Sequence, residues 1–300
     1  MIYDCIIVGG GIAGLQAAIQ LGRYKHSVAV IDSNKGRSSL CKEYHNILGW
    51  PDGISGDYFR QSGKIHAERY GVKFIDSKAL KVKKNKELFS ITVANNDSPM
   101  LSKRILFATG ITDSLPELPG LLPCLGNSIY LCPDCDGYEV KDKRTIVLGS
   151  GEKGANLSLI IHYWTKEIIY VNHTLDTISE DTLQRLENYN IQVIEEPIAA
   201  LKTDGKSQFH GVTLKNGQTI NAKHSFIAFS GTKVNSDLAK SLGVERLENK
   251  HIVVDPRTKM TNVPNVWAVG DATVHSQLLT IAMGDGAQAA IWIHKSLLSS

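Results

Sequence analysis

Two glycine-rich turns, built on one plan and set in tandem, constrain this chain more than any other feature. Ile2 to Val8 is an apolar run ending in Gly9-Gly10-Gly11-Ile12-Ala13-Gly14, and Leu15 to Arg23 continues with apolar residues at helical spacing. Thr145 to Leu148 repeats the arrangement, followed by Gly149-Ser150-Gly151-Glu152-Lys153-Gly154 and a helical stretch from Ala155 to Thr165. Strand, G-x-G-x-x-G and helix form a dinucleotide fingerprint: the glycines permit a tight turn and let the backbone approach a pyrophosphate on the helix N-terminus. The spacing repeats as well. Asp32 ends the strand Ser27 to Ile31 eighteen residues beyond Gly14, and Asn172 follows the strand Glu167 to Val171 eighteen residues beyond Gly154. An acid where Asp32 stands accepts hydrogen bonds from both hydroxyls of an adenosine ribose. Two such copies predict an α/β fold of two tandem Rossmann-like dinucleotide-binding domains.

Each copy is followed by a β-meander. In the first, a helix over Ile54 to Tyr70 precedes strands at Val72 to Ile75, Leu80 to Lys84, Leu88 to Ala94 and Arg104 to Ala108; in the second, Asp204-Gly205 and Asn216-Gly217 mark hairpin turns before the strand Ser225 to Phe229. Thr177-Ile178-Ser179-Glu180 has the form of a capping box opening a helix that runs to about Tyr189. The proline-dense stretch Leu115 to Pro123 reads as a crossing between domains. The last third returns to the first domain. There Val263 to Asp271 reads as a buried strand ending in Gly270-Asp271, where the glycine admits a ligand and the carboxylate takes a hydroxyl, and Thr280 to Leu298 as a closing helix. Its small residues Ala282, Gly284, Gly286, Ala287, Ala289 and Ala290 read as helix packing.

Between the two copies lies Cys132-Pro133-Asp134-Cys135-Asp136. Cysteines two residues apart close a small reversible disulfide or bind metal. A zinc site needs two further ligands, and the remaining cysteines, Cys5, Cys41 and Cys124, contain no second C-x-x-C. No metal is therefore expected. Five cysteines in 300 residues do not make a structural disulfide framework. Neither a secretion signal nor a spanning segment is read, so a cytoplasmic location is expected. A net charge of +3 with interspersed signs does not argue for nucleic acid, and the basic run Lys81 to Lys86 reads as a solvated hairpin.

Laid out in this order, the chain resembles the low-molecular-weight, thioredoxin-reductase-like flavoproteins over nearly its whole length. The resemblance is carried by the first fingerprint, the Asn46 to Pro51 loop, Ala108-Thr109-Gly110, Cys132 to Asp136 with Gly137, the second fingerprint, and Ala268-Val269-Gly270-Asp271. It implies a discontinuous FAD domain over 1–115 and 240–300, with a nucleotide domain over 116–239 inserted and carrying the disulfide. Gly9, Gly11, Gly14 and Asp32 would hold the ADP part of FAD, Asn46 would lie near the isoalloxazine, and Gly110, Gly270 and Asp271 would complete the site, Asp271 at the ribitol. Gly149, Gly151, Gly154 and Asn172 would take NADH or NADPH. Cys135 would face the flavin, Cys132 attack the substrate disulfide and Asp136 donate the proton. Thioredoxin or a small disulfide is the implied partner, and a homodimer the implied assembly.

Two departures matter. Family members using NADPH place arginines after the strand at Asn172 to grip the 2′-phosphate, whereas this chain reads Asn172-His173-Thr174 with no arginine between Arg144 and Arg185. Their Arg-Gln pair before the closing helix is replaced by Gln277-Leu278. Ferredoxin-driven flavin thioredoxin reductases and FAD dithiol oxidases also resemble the chain, and a non-catalytic flavin redox sensor is a further reading.

Overall fold

The computed structural model describes residues 1–94, 96 and 98–299. These divide into two compact units: a terminal unit of 1–39, 56–112 and 233–300, and an inserted unit of 40–55 and 113–232. Segment 40–55 thus groups with the inserted unit, although its sequence position assigns it to the terminal domain. The cause is local packing: Leu40 lies against the inserted unit's apolar core, and the backbone of Cys41 and Lys42 passes so close to Gly126 that a Cβ there would meet it at 2.7–2.9 Å.

In the terminal unit the strands Lys73–Asp76, Val28–Asp32, Ile2–Val8 and Met100–Phe107 pair in parallel in that order. The hairpin Ala79–Asn85 and Leu88–Val93 continues the same sheet, because Met100–Phe107 starts earlier than its sequence pattern suggests. Its first residues pair with the hairpin, and Ile105 to Phe107 pair with Val266–Ala268. One long strand therefore joins meander and nucleotide sheet. Side chains alternate along Ile2–Val8, Ile6 and Val8 entering one apolar layer and Cys5 and Ile7 the other. This is the period of two that a sheet buried on both faces requires. The second layer is closed by helices Ile12–Arg23 and Leu279–Leu298, which cross where Gly286 lies against the Ala13 backbone; a Cβ there would collide with the Ala13 carbonyl. Gly284, on the opposite side, is exposed and its Cβ would meet nothing within 4 Å.

In the inserted unit a parallel sheet runs in the order Gln192–Ile194, Ile168–Asn172, Thr145–Gly149, His224–Ala228 and Ile129–Tyr130. Helices Gly151–Ile161 and Glu180–Asn188 supply residues to one apolar layer. The antiparallel strands Ile198–Thr203, Phe209–Leu214 and Thr219–Asn221 contribute to the other. The capping residue of helix Glu180–Asn188 is Ser179, whose Oγ accepts from the Thr182 N–H at 3.3 Å, and not Thr177. The box fails because Glu152, from the glycine turn, takes the Ser179 N–H at 3.0 Å in place of a residue of the helix itself. Among the described residues no helix is long and apolar enough to cross a membrane.

Candidate functional site

The first glycine turn has the close contacts its fingerprint calls for. Gly9 stands at φ +109°, and a Cβ on it would collide with the Ala108 carbonyl; one on Gly14 would collide with the Gly9 carbonyl. These two glycines let strand and helix approach each other. Gly11, at the helix entry, faces open space, the side from which a ligand reaches the backbone. Gly10 is also required, since its Cβ would meet the Asp32 carboxylate at 2.8 Å.

Asp32 is not alone. Its Oδ2 accepts from Arg60 Nη2 at 2.7 Å, while Arg60 Nη1 donates to the Gly10 carbonyl at 3.2 Å. No hydrogen bond occupies Oδ1 among the described residues. A cavity of about 270 Å³ adjoins this pair, lined also by Asn34, Lys64, Phe74 and Asp76. Arg60 lies on helix Gly56–Glu68 and escaped the sequence reading, because nothing in its spacing ties it to a carboxylate 28 residues earlier.

Gly270 stands at φ +68° with its N–H donated to Asp285 Oδ2 at 3.1 Å. Asp285 is buried in the closing helix between Lys259 Nζ at 2.9 Å and His275 Nε2 at 2.5 Å. Burial pushes its pKa up, yet the bonds from His275 and Lys259 outweigh that and hold it below the ordinary carboxylate value. The same bond to Asp285 raises His275, against desolvation. This support for Gly270 was invisible in sequence, where Asp285 stands among small helix-packing residues. Asp271 Oδ2 accepts from Arg37 Nη1 at 3.2 Å, and Arg37 also donates to Gln277 Oε1 at 2.9 Å. An arginine and a glutamine are thus paired through space, whereas the resemblance implied an Arg-Gln pair adjacent in sequence. Gly110, at φ +60°, follows Thr109, whose Oγ1 donates to the Asn235 carbonyl at 2.6 Å.

These features fit the ADP portion of FAD: a cradle that only glycine can line, an open helix entry, an acid with one bare oxygen, and a cavity beside it. Asn46 lies on segment 40–55 of the inserted unit.

The second glycine turn differs in its contacts. Asn172 is fully buried. Its Oδ1 accepts the Gly151 N–H at 2.9 Å and its Nδ2 donates to the Asp176 carbonyl at 2.8 Å. Gly151, at φ +40°, is covered by Asp176 and Thr177, which a Cβ would meet at 2.7–2.8 Å, and Tyr170 Oη donates to its carbonyl. Gly149 and Gly154 serve internal packing, against Ala228 and Tyr170. As folded, the Gly151 N–H and the Asn172 side-chain amide are both engaged within the chain. A strand-terminal Asn bonding back to its own turn looks, in sequence, identical to one facing a ligand.

Cys132 and Cys135 form a disulfide, with Cα atoms 5.3 Å apart. Cys132 caps the short helical turn Pro133–Asp136, its carbonyl accepting from Cys135 N at 3.2 Å and Asp136 N at 3.0 Å. Pro133 occupies the first helical position, where no N–H is needed. The turn separates the two acids: Asp134 is exposed and Asp136 buried. Burial, with the Glu139 charge second, raises Asp136 to about 7. Gly137 is required because a Cβ there would meet the Trp164 indole at 2.6 Å. No group of three or more His, Cys, Asp or Glu is arranged to hold a metal ion among the described residues.

A family model described as pyridine nucleotide-disulphide oxidoreductase matches residues 3–286, and the chain belongs to that family. It is similar to a protein named a probable thioredoxin reductase from Arthroderma benhamiae, 30% identical over 98% of this chain and 80% of the relative. It is similar also to the thioredoxin reductase of Treponema pallidum, 26% identical over 96% and 95% of the two chains. A solved structure assigned as a thioredoxin reductase of Bacillus anthracis superposes with a TM-score of 0.85, at 27% identity over 99% of each chain. Within its family the chain is a thioredoxin-reductase-like, FAD-dependent disulfide oxidoreductase.

Proposed function

We propose that the Cys132/Cys135 pair, once reduced, passes its two electrons to a disulfide on thioredoxin or a similar small protein, closing its own disulfide as the partner's opens. The observation that carries this reading is the placement of Asp136, a buried carboxyl that keeps its proton up to about pH 7 and lies on the same turn as the two sulfurs. Supporting it are the names of the relatives. Cys132 attacks the partner's disulfide as thiolate, the reactive form in exchange. Cys135 resolves the mixed disulfide, and Asp136 gives or takes the proton that sulfur gains or loses. In the terminal unit Gly9, Gly11, Gly14 and Asp32 would hold the ADP part of FAD, with Gly110, Gly270 and Asp271 toward its other end. When bound, FAD supplies the electron pair that opens the disulfide. The electron source is a separate question, between NADH, NADPH and reduced ferredoxin. The implied homodimer is part of the same reading.

The test is anaerobic titration of the yellow protein with each donor, in wild type and Cys135→Ser. In the variant the flavin is still reduced while delivery to thioredoxin disulfide is abolished. Undiminished disulfide reduction by Cys135→Ser removes this residue from the chemistry.

A further inference from the structure

At the end of strand Val28–Asp32 three groups of the terminal unit are tied into a closed triangle. Arg60, near the start of helix Gly56–Glu68, donates from Nη2 to Asp32 Oδ2 at 2.7 Å and from Nη1 to the Gly10 carbonyl at 3.2 Å. The third side is a packing contact. Gly10 lies so close to the Asp32 carboxylate that a Cβ would meet Oδ2 at 2.8 Å. The same guanidinium donates from Nη2 to Asn34 Oδ1 at 3.0 Å and places Nη1 3.5 Å from Ser38 Oγ. Asn34 stands at φ +58°, a left-handed conformation that asparagine tolerates better than most residues.

This geometry decides between two roles for the arginine. A guanidinium beside a dinucleotide site either binds phosphate directly or holds another group that meets the ligand. Each terminal nitrogen of Arg60 carries two N–H groups. Three bonds and the longer Ser38 contact turn both nitrogens toward the chain itself. The second role is therefore the one built. The side chains of Asp32 and Arg60 are only 14% and 12% exposed, so a carboxylate left there without its cation would be costly. Lys64, the other cation lining the cavity, is paired instead with Asp76 Oδ1 at 3.4 Å.

We propose that Arg60 is the positioning residue of the adenosine end of the FAD site: it fixes Asp32 by Oδ2, so that the ribose is read by Oδ1 alone, through a single hydroxyl. This rests on the reading of Asp32 as the acid that meets that ribose, and narrows it, since spacing alone assigns both hydroxyls to the carboxylate. Without Arg60 the carboxylate is free to turn toward water or Lys64, and the oxygen that would accept from the ribose is no longer held in one place.

The test equilibrates the full-length protein with FAD, or with its 2′-deoxyadenosyl or 3′-deoxyadenosyl analogue, and reads each Kd from flavin fluorescence on dilution. In wild type one of the two deletions is expected to weaken binding about tenfold and the other less than about twofold, as for one charge-assisted hydrogen bond. In Arg60→Met, FAD itself binds about tenfold more weakly and neither deletion costs more than about threefold. Arg60→Lys keeps the charge without the fork; it recovers part of the FAD affinity but not the difference between analogues, and keeps the test open should Arg60→Met not fold. A role confined to seating the helix would weaken all three cofactors by one factor. Wild-type ratios between the cofactors in both variants, or equal costs of the two deletions in wild type, overturn the proposal. Asp32→Asn run alongside separates the two readings. If it keeps the wild-type ratios, the assignment of Asp32 to the ribose has failed; if it loses them while Arg60→Met keeps them, the role of Arg60 alone has failed.

Discussion

At the scale of single residues, Asp136 decides most. Its carboxyl titrates at about 7 in the folded chain against 3.8 for an ordinary aspartate, so between these values the folded state binds the extra proton. Stability contributed by this group is full below about pH 4 and lost as pH rises through 7. Asp136→Asn should remove that slope, leaving the variant's urea midpoint higher relative to wild type at pH 8 than at pH 5. Disulfide reduction by wild type should decline as pH passes 7, and the variant should be about 100-fold slower with a flat profile. Equal slopes in the two proteins would mean that the carboxyl is not the titrating group. Asp136 was legible in sequence from its place after the second cysteine. Its separation from Asp134 was not, because only the turn geometry tells which acid is buried. Arg60 and Asp285 escaped for a related reason: each acts through a partner distant in sequence, and no spacing rule encodes a through-space pair.

At the scale of elements, the glycine turns, strands and closing helix were readable because backbone close approach and two-residue alternation both leave marks in sequence. What periodicity could not supply was which small residues of the closing helix touch the first helix. Gly286 does and Gly284 does not. Gly286→Ala should therefore destabilise the protein by about 1–3 kcal/mol through overpacking. Gly284→Ala should stabilise it by up to about 1 kcal/mol through helix propensity. Thermal or urea unfolding of the two FAD-loaded variants distinguishes these cases, and similar midpoints would contradict the crossing described. The long strand Met100–Phe107 was under-read for another reason: its first half pairs with a hairpin and its second with a parallel neighbour, so neither half carries a uniform pattern.

For the whole molecule, two fingerprints of equal spacing turned out physically unequal. The first leaves Asp32 Oδ1 and the Gly11 side open; the second bonds its own amide to its own turn. Guanidinium groups are missing from the stretch that would meet a 2′-phosphate, so NADPH should bleach the flavin no faster than NADH in stopped-flow mixing. A preference of more than about tenfold for NADPH would reveal a phosphate contact formed elsewhere. Asn172, which sequence spacing equates with Asp32, is buried and bonds back to its own turn, whereas Asp32 pairs with Arg60 beside a cavity.

Because residues 40–55 pack with a unit whose remaining chain begins only at Asp113, the polypeptide passes from one unit to the other four times. A graft that exchanges only the contiguous insert with a homologue would leave its donor's matching loop behind. Recombination between relatives should thus succeed when the early loop travels with the insert, and yield poorly folding hybrids when it stays.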